Sequence, residues 1–224
     1  MDRQQSLAAR ESGTTLSSIC QYLQRCEVFT FLEDIRKSGQ RAAEIVANML
    51  NFSRKSEQGG SAKSLSELLE ETLDLAGSDY NLKKRYDFRQ IEIVRDYAPD
   101  VPPVVCQAGK IQQVFLNVLR NDAEAMSERK DPGHSPRFVL RVKRQEEMVR
   151  VDIEDSGPGM DEATRKRVFE PFFTTKAPGL GTGLGLSVSY FIIAEEHGGV
   201  MTVESNPGKG TRFTVLLPHD GTNG

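Results

Sequence analysis

The stretch that decides the fold covers residues 155–186 and reads DSGPGMDEATRKRVFEPFFTTKAPGLGTGLGL. Its second half carries a glycine at every second position from Gly179 to Gly185. A packed strand or helix interior does not tolerate this spacing, because each glycine lacks a side chain and costs backbone entropy to order. The pattern predicts a mobile loop whose backbone N–H groups can approach an anionic ligand. An apolar run from Leu184 to Ala194 predicts a helix whose positive N-terminal end faces the same ligand. The stretch therefore indicates a phosphate site covered by a lid, which runs roughly from Pro171 to Gly183.

Two common phosphate-binding motifs do not fit these glycines. The chain has no GxxxxGK[ST] sequence, and its glycine spacing differs from the GxGxxG of a dinucleotide-binding turn. Four segments instead resemble, in order, the N box, the first glycine box, the F box and the second glycine box of the sensor histidine kinases of two-component systems. They are QQVFLNVLRNDAEAM (112–126), DSGPG (155–159), FEPFFTTK (169–176) and GTGLGL (181–186). With GKGTRFTVLLP (208–218), the resemblance covers about residues 62–218 and indicates an ATP-binding domain of the GHKL superfamily.

Composition excludes several other classes of protein. The net charge is −3, with 29 basic and 32 acidic residues, so nothing indicates non-specific nucleic-acid binding. No apolar run approaches the ~18 residues of a transmembrane helix, and no secretory signal follows Met1. Cys20, Cys26 and Cys106 are odd in number and lack CxxC spacing, which is typical of reduced thiols. We expect a cytoplasmic chain that itself contacts neither membrane nor nucleic acid, even where upstream segments anchor its parent protein.

The order of patterns along the chain predicts five regions. Residues 1–27 are polar and predict an irregular or partly helical lead-in. Residues 28–55 carry apolar residues at spacings of three and four, a heptad seam that needs a partner helix. The alternative for this region is an ordinary amphipathic helix packed on its own domain. Residues 56–63 are predicted to be a linker, residues 64–218 the main domain and residues 219–224 a tail.

The heptad region also resembles part of a histidine kinase hairpin. Its segment SGQRAAEIVANMLNFSRK (38–55) is similar to the second helix of the dimerisation and phosphotransfer hairpin. The resemblance implies a homodimer through hairpin helices in the parent protein. The chain departs from the family here, because no histidine precedes His134 and no H box is present. We therefore expect the phosphoacceptor histidine to lie on a first hairpin helix that is missing from this chain.

The remaining patterns predict an α+β sandwich. Ser64 and Glu67 form a capping box that starts a helix near residue 65, and a second helix is predicted over 108–126. Strands are predicted at 90–97, 137–144, 148–154, 200–204 and 211–217. Elements segregated in this way predict two layers, with one mixed sheet covered by helices on one face and preceded by the long N-terminal helix. The resemblance implies that this sandwich is the Bergerat-type ATP-binding fold.

The helix predicted over 108–126 carries two asparagines on one face. Asn117 and Asn121 lie four residues apart, and a buried amide without a partner is costly. For either one alone, a satisfied core or capping asparagine is the favoured interpretation. The resemblance implies that Asn121 supplies its carbonyl oxygen to Mg²⁺ and that Asn117 lies alongside the triphosphate of ATP. The nearby acids Asp122 and Glu124 are expected to lie off this face.

The residue at position 117 also distinguishes two kinds of GHKL enzyme. Members that hydrolyse ATP carry a glutamate one turn before the metal-binding asparagine, where it activates water. This chain has Asn117 there, and an amide is not a useful general base. We therefore expect the chain to hold ATP without hydrolysing it.

The other candidate site residues come from the glycine boxes and the lid. Asp155 ends a predicted strand, and its ionised carboxylate only accepts hydrogen bonds, which suits the exocyclic amine of adenine. The resemblance assigns it that role and places Thr211 near the adenine, whereas the alternative is an aspartate that stabilises its own turn. Lys176 is either a lid cation for the β- and γ-phosphates or a solvated surface lysine. The remaining nucleotide-binding candidates are Gly157, Gly159, Gly181, Thr182, Gly183, Leu184, Gly185 and Leu186.

These features give one leading hypothesis and two alternatives. The leading hypothesis is the catalytic domain of a sensor histidine kinase, in which Asn117, Asn121 and Lys176 support γ-phosphoryl transfer from Mg-ATP to a histidine. A response regulator receiver domain would then accept the phosphoryl group. The alternatives are a GHKL serine kinase of the anti-sigma type and a non-catalytic nucleotide-binding or dimerisation module. The heptad helix and linker argue against the first alternative, and the intact set of boxes argues against the second.

Overall fold

The computed structural model describes residues 13, 15–36, 38–39, 60–78, 88–129, 135–177 and 181–219. The chain divides into two compact units, Met1–Asn51 and Phe52–Gly224. Among the described residues, no helix combines the length and the apolar character needed to cross a bilayer.

The described part of the N-terminal unit is helical. Helix α1 spans Leu16–Arg25, and Thr15 caps it by accepting a hydrogen bond from the backbone N–H of Ser18 at 3.2 Å. Residues 28–36 are helical too, and the positive φ of Glu27 (56°) separates the two helical stretches. Most of the predicted hairpin helix, from residue 40 to residue 55, lies outside the described residues.

The larger unit is built from seven strands, four α-helices and a short 3₁₀ helix (Phe88–Gln90) within its described residues. The strands are β1 (Ser61–Lys63), β2 (Glu92–Tyr97), β3 (Val104–Cys106), β4 (Arg137–Gln145), β5 (Met148–Asp155), β6 (Val200–Ser205) and β7 (Thr211–Pro218). The helices are α2 (Leu65–Ser78), α3 (Ala108–Glu128), α4 (Glu162–Arg167) and α5 (Gly185–Phe191), the last continued by a π-helical turn over Ile192–Glu196.

Five of these strands form one mixed sheet in the order β2-β4-β5-β7-β6. Strand β2 pairs parallel with β4, and the other neighbours pair antiparallel. Alternation along β4 and β5 buries one set of side chains between the sheet and the helices: Phe138, Leu140, Val142, Val149, Val151 and Ile153. The central helix α3 contacts α2, α5 and β5, and its core face includes Ile111, Phe115, Val118 and Leu119. The predicted two-layer α+β sandwich is confirmed.

A second, two-stranded sheet is absent from the sequence-based prediction. Strand β1 pairs antiparallel with β3, so three residues of the segment 56–63 that the sequence predicts as linker are in a sheet. Gly60 lets the chain approach its partner, because a Cβ there would lie 3.0 Å from the backbone nitrogen of Cys106. Strands of three residues are too short to show alternation, which is why the pattern misses them. Strand β3 leads directly into α3 and fixes where that helix begins.

Candidate functional site

Asp155, the last residue of β5, is a buried carboxylate at the edge of the helical layer. Its Oδ1 accepts a hydrogen bond from the backbone N–H of Gly157 at 2.5 Å, and its Oδ2 accepts one from the backbone N–H of Thr211 at 3.0 Å. The first bond is the turn-stabilising contact expected of any aspartate in a DSG sequence. The second joins β5 to the start of β7, 56 residues later. The Thr211 side chain is a third hydrogen-bond partner of this carboxylate, which can still accept one further hydrogen bond from a ligand.

Glycines shape the backbone around this carboxylate. Gly159 and Gly210 have positive φ, 69° and 84°. A Cβ at Gly159 would overlap the carbonyl oxygen of Asn206, and a Cβ at Gly210 would overlap that of Asp155. Only glycine permits such close approach of one backbone to another. The candidate Gly159 therefore holds the loop after β5 against the β6–β7 turn, and Gly157 donates to Asp155.

Both candidate asparagines of α3 face the beginning of α5. The Nδ2 of Asn117 donates to the carbonyl oxygen of Gly185 at 3.1 Å and lies 3.2 Å from Ser189 Oγ. A Cβ at Gly185 would lie 3.7 Å from Asn117 Cγ and 3.9 Å from Asn121 Nδ2. The Asn117 amide is thus already paired, as the core-residue alternative requires. Its position also places it where the glycine-rich segment enters the helix.

Lys176 lies over the second asparagine. Its ammonium group donates to Asn121 Oδ1 at 3.2 Å and to Glu124 Oε2 at 2.6 Å. The Lys176 side chain is 27% exposed and that of Glu124 is 20% exposed, so this lysine does not match the solvated-surface alternative. The expectation that Glu124 lies off the asparagine face is wrong. Residues three apart on a helix are neighbours, and Glu124 follows Asn121 by three.

The two ends of the lid are joined by the backbone. The N–H of Phe172 donates to the carbonyl oxygen of Gly183 at 2.9 Å, and both residues have a φ of 66°. A Cβ at Gly183 would overlap the Phe172 backbone, so glycine is required there. Phe169, just before the lid, packs against Tyr190 and Phe213 with ring centroids 5.3 and 6.4 Å away. These contacts fix the root of the lid on the sheet and on α5.

The remaining lid candidates lie between this root and α5. A Cβ at Gly181 would lie 3.2 Å from Lys176 Cδ, so this glycine packs on the lysine. Thr182 Oγ1 accepts a hydrogen bond from the N–H of Leu184 at 3.4 Å. Leu184 is buried before α5, and Leu186 is half-buried in its first turn. Residues 178–180, which include the first lid glycine, lie outside the described residues.

Two polar residues outside the set of site candidates are also buried. Asp122 is 5% exposed and lies on the core face of α3, off the asparagine face as expected. Burial raises the pKa of Asp122 well above the usual range, and the neighbouring charge of Asp155 raises it further. His197 is also buried: its Nε2 accepts from the backbone N–H of Gln107 at 3.2 Å, and its Nδ1 lies 2.7 Å from the carbonyl oxygen of Ile192. This histidine fixes the start of α3 to the end of the segment that continues α5.

The Asp155 carboxyl predicts a pH dependence of stability. Burial raises its pKa to about 6, so the folded chain keeps a proton that the unfolded chain releases from about pH 4 upward. Its contribution to stability is therefore full below about pH 4 and is lost as the pH rises through about 6, a change on the order of 3 kcal/mol. Urea unfolding of wild type and Asp155→Asn from pH 4 to pH 7 measures it. The stability difference between the two proteins should shift with pH, and a constant difference contradicts the prediction.

The fold is that of a two-layer α+β sandwich, with the buried Asp155 carboxylate at the end of β5 and the Lys176 contact with α3 in the glycine-rich lid. Residues 106–221 match the family described as Histidine kinase-, DNA gyrase B-, and HSP90-like ATPase. The chain belongs to this family. The predicted GHKL superfamily is confirmed.

Proteins similar in sequence include a sensor kinase, and a similar solved structure is a histidine kinase domain. Sporulation kinase E of Bacillus subtilis (strain 168) is 39% identical over 156 residues, which are 70% of this chain and 19% of that protein. Sensor kinase CckA of Brucella abortus (strain 2308) is 34% identical over 202 residues, 85% of this chain and 20% of that protein. The chain therefore spans about a fifth of the length of these relatives. The nucleotide-free catalytic domain of histidine kinase ThkA is 29% identical with a TM-score of 0.59, covering 72% of this chain and 97% of that domain.

These comparisons decide between the hypotheses drawn from sequence. The relatives include sensor kinases, and the similar solved structures include the catalytic domain of a histidine kinase. The prediction of resemblance to sensor histidine kinases is confirmed. The alternative of an anti-sigma serine kinase finds no support among them.

Proposed function

We propose that this chain is the ATP-binding catalytic domain of a two-component sensor histidine kinase. It transfers the γ-phosphoryl group of Mg-ATP to a histidine on a hairpin helix of the same kinase. The observation that carries the proposal is the placement of Asp155 at one end of the site and of Asn117, Asn121 and Lys176 at the other. The Asp155 carboxylate suits the amine of a purine base, and Lys176 with the two asparagine amides suits a triphosphate.

The adenine end is built on the Asp155 carboxylate. A pKa of about 6 leaves it ionised above neutral pH, where it accepts a hydrogen bond from the exocyclic amine of the base. Gly157 and Thr211 hold both carboxylate oxygens in place through their backbone N–H groups. A fixed acceptor of this kind favours adenine, because guanine presents a carbonyl oxygen at the corresponding position.

The phosphate end is built on α3, the lid and the start of α5. Lys176 supplies a positive charge. The lid residues Gly181, Thr182 and Gly183 with Leu184, Gly185 and Leu186 bring backbone N–H groups toward the phosphates. Asn117 lies where the lid enters α5 and aligns this segment through its bond to Gly185.

The residues at this end fit a magnesium ion. Asn121 Oδ1 and Glu124 Oε2 already contact one cation, the Lys176 ammonium group. The described residues contain no cluster of three or more His, Cys, Asp or Glu side chains, so a bound ion would take its other ligands from phosphates and water. We assign Asn121 as the residue that would hold Mg²⁺, which when bound neutralises phosphate charge.

Catalysis by these residues is positioning and charge stabilisation. A ring nitrogen of the acceptor histidine attacks the γ-phosphorus, the bond from that phosphorus to the β–γ bridging oxygen breaks, and ADP leaves. Lys176 stabilises charge on the phosphoryl oxygens, and Asn117 does not activate water because an amide is not a base. The acceptor histidine then passes the phosphoryl group to an aspartate of a response regulator receiver domain. We place the reaction in the cytoplasm, in a parent protein that dimerises through its hairpin helices.

Two substitutions test the function. Asn121→Ala should remove the Mg²⁺-dependent tightening of ATP while keeping metal-free binding. Asp155→Asn should weaken ATP and ADP alike with or without metal, by about 1–3 kcal/mol for a mismatched buried hydrogen bond. Calorimetric titration with and without Mg²⁺ measures both effects, and Asp100→Asn on an exposed loop serves as a control. Equal, metal-independent losses in the two variants would contradict the assignment of Asn121.

A further inference from the structure

The contact of Lys176 with α3 joins a lid residue to two oxygens on one helix face. Asn121 Oδ1 is a neutral oxygen and Glu124 Oε2 a charged one, three residues apart, and both accept from the same ammonium group at 3.2 and 2.6 Å. Half-buried oxygens arranged in this way form a site for a cation. The chain fills that site with its own side chain.

The lid is shaped to hold the lysine there. The backbone N–H of Lys176 donates to Thr174 Oγ1 at 3.2 Å, which tightens the lid just before the lysine. A Cβ at Gly181 would lie 2.9 Å from Thr174 Oγ1 and 3.2 Å from Lys176 Cδ. The lid backbone at Gly181 therefore packs on the aliphatic part of the Lys176 side chain. These contacts favour the position of the Lys176 side chain over α3.

We propose that Asn121 and Glu124 form one cation site that Lys176 fills without nucleotide and that a divalent cation takes when nucleotide binds. This inference rests on the proposed function in one respect only, namely that a nucleotide binds at this site. The exchange keeps every charge paired. Before it, the Glu124 carboxylate faces the ammonium group, and after it the same carboxylate faces the incoming cation. Lys176, released with the lid, then faces the phosphates. Glu124 is a positioning residue in this scheme, since it holds the lid lysine until the exchange.

Metal binding without nucleotide tests the exchange directly. Electron paramagnetic resonance would count free Mn²⁺ in MnCl₂ titrations of the whole chain. Lys176→Met removes the resident cation and should tighten Mn²⁺ binding about tenfold or more. Adding Glu124→Gln to Lys176→Met should abolish that gain. Lys166→Met removes an exposed lysine of α4 and should leave Mn²⁺ binding as in wild type. Wild-type affinity in Lys176→Met, or a gain that survives in the double variant, would overturn the proposal.

The contact between Glu124 and Lys176, which tethers the lid to α3, can be tested separately by hydrogen exchange. In the nucleotide-free chain, Glu124→Gln should speed amide hydrogen exchange over residues 172–177 several-fold, because the lid loses its charged partner. Glu128→Gln, at the exposed end of α3, is the matched control. An unchanged exchange rate in Glu124→Gln would overturn the tether. Neither measurement uses ATP. Failure of the wild-type chain to bind ATP would therefore contradict the proposed function, while the Mn²⁺ affinities and the exchange rates would still test the cation site.

Discussion

Gly210→Ala is expected to lower the free energy of unfolding of the larger unit by about 3–5 kcal/mol and to abolish nucleotide binding. Gly210 has a φ of 84°, which costs an L side chain energy by itself. The new Cβ would also overlap the backbone carbonyl oxygen of Asp155, which cannot turn away as a side chain would. Relieving the overlap must separate β5 from the start of β7. That separation removes the Thr211 N–H from the Asp155 carboxylate.

A neighbouring glycine in the same turn is the matched control. Gly208 also has a positive φ, 78°, but a Cβ there would meet no atom within 4 Å. Gly208→Ala should therefore show the backbone cost alone, about 1–2 kcal/mol, and should retain nucleotide binding. Urea unfolding gives the two stability changes, and calorimetric ATP titration gives binding. Equal losses of stability in the two variants would show that the approach of residue 210 to Asp155 carries no cost.

Much of the large unit was predictable from periodicity and turn residues. The five strands of the main sheet begin and end within two residues of their predicted bounds, because alternation and flanking glycines and prolines mark them. The helix over 108–126 was equally clear, since its apolar residues recur at helical spacing. The short pair β1 and β3 was not, because its stability comes from a partner more than 40 residues away along the chain rather than from local pattern.

The candidate site was predictable as a set of residue types, and less so as a set of contacts. Helical spacing places Asn117 and Asn121 on one face, and the structure has them there. Helical spacing also places Glu124 beside Asn121, but only the structure shows that both residues contact Lys176. The contact joins residues 52 positions apart, and no local pattern specifies it. The burial of Asp122 was visible in principle, because it occupies an apolar position of α3.

The chain is expected to take up no phosphate on its own histidines, since neither of the two that the structure describes, His197 and His219, is placed to attack bound ATP. A nitrogen must come within about 3–3.5 Å of the γ-phosphorus, in line with the leaving oxygen. His197 is buried with both ring nitrogens engaged. His219 follows β7, whose eight residues place it roughly 25 Å from Thr211 at the nucleotide end. His134 lies outside the described residues, in the Pro/Gly-rich sequence DPGHSP.

Incubation with γ-labelled ATP and Mg²⁺ should therefore leave acid-labile phosphate below detection, while calorimetry shows that ATP is bound. ADP release should also stay at the uncatalysed level, because Asn117 supplies no base for water. Adding the histidine-bearing hairpin of a sensor kinase related to this chain should bring labelling of that hairpin, and Lys176→Met should lower its rate because phosphate charge is less well neutralised. His134→Asn is also tested, because His134 lies outside the described residues and its distance from the nucleotide is not known from the structure. Label that appears on the wild-type chain alone, whether or not His134→Asn removes it, would show that an acceptor histidine reaches the γ-phosphate within this chain.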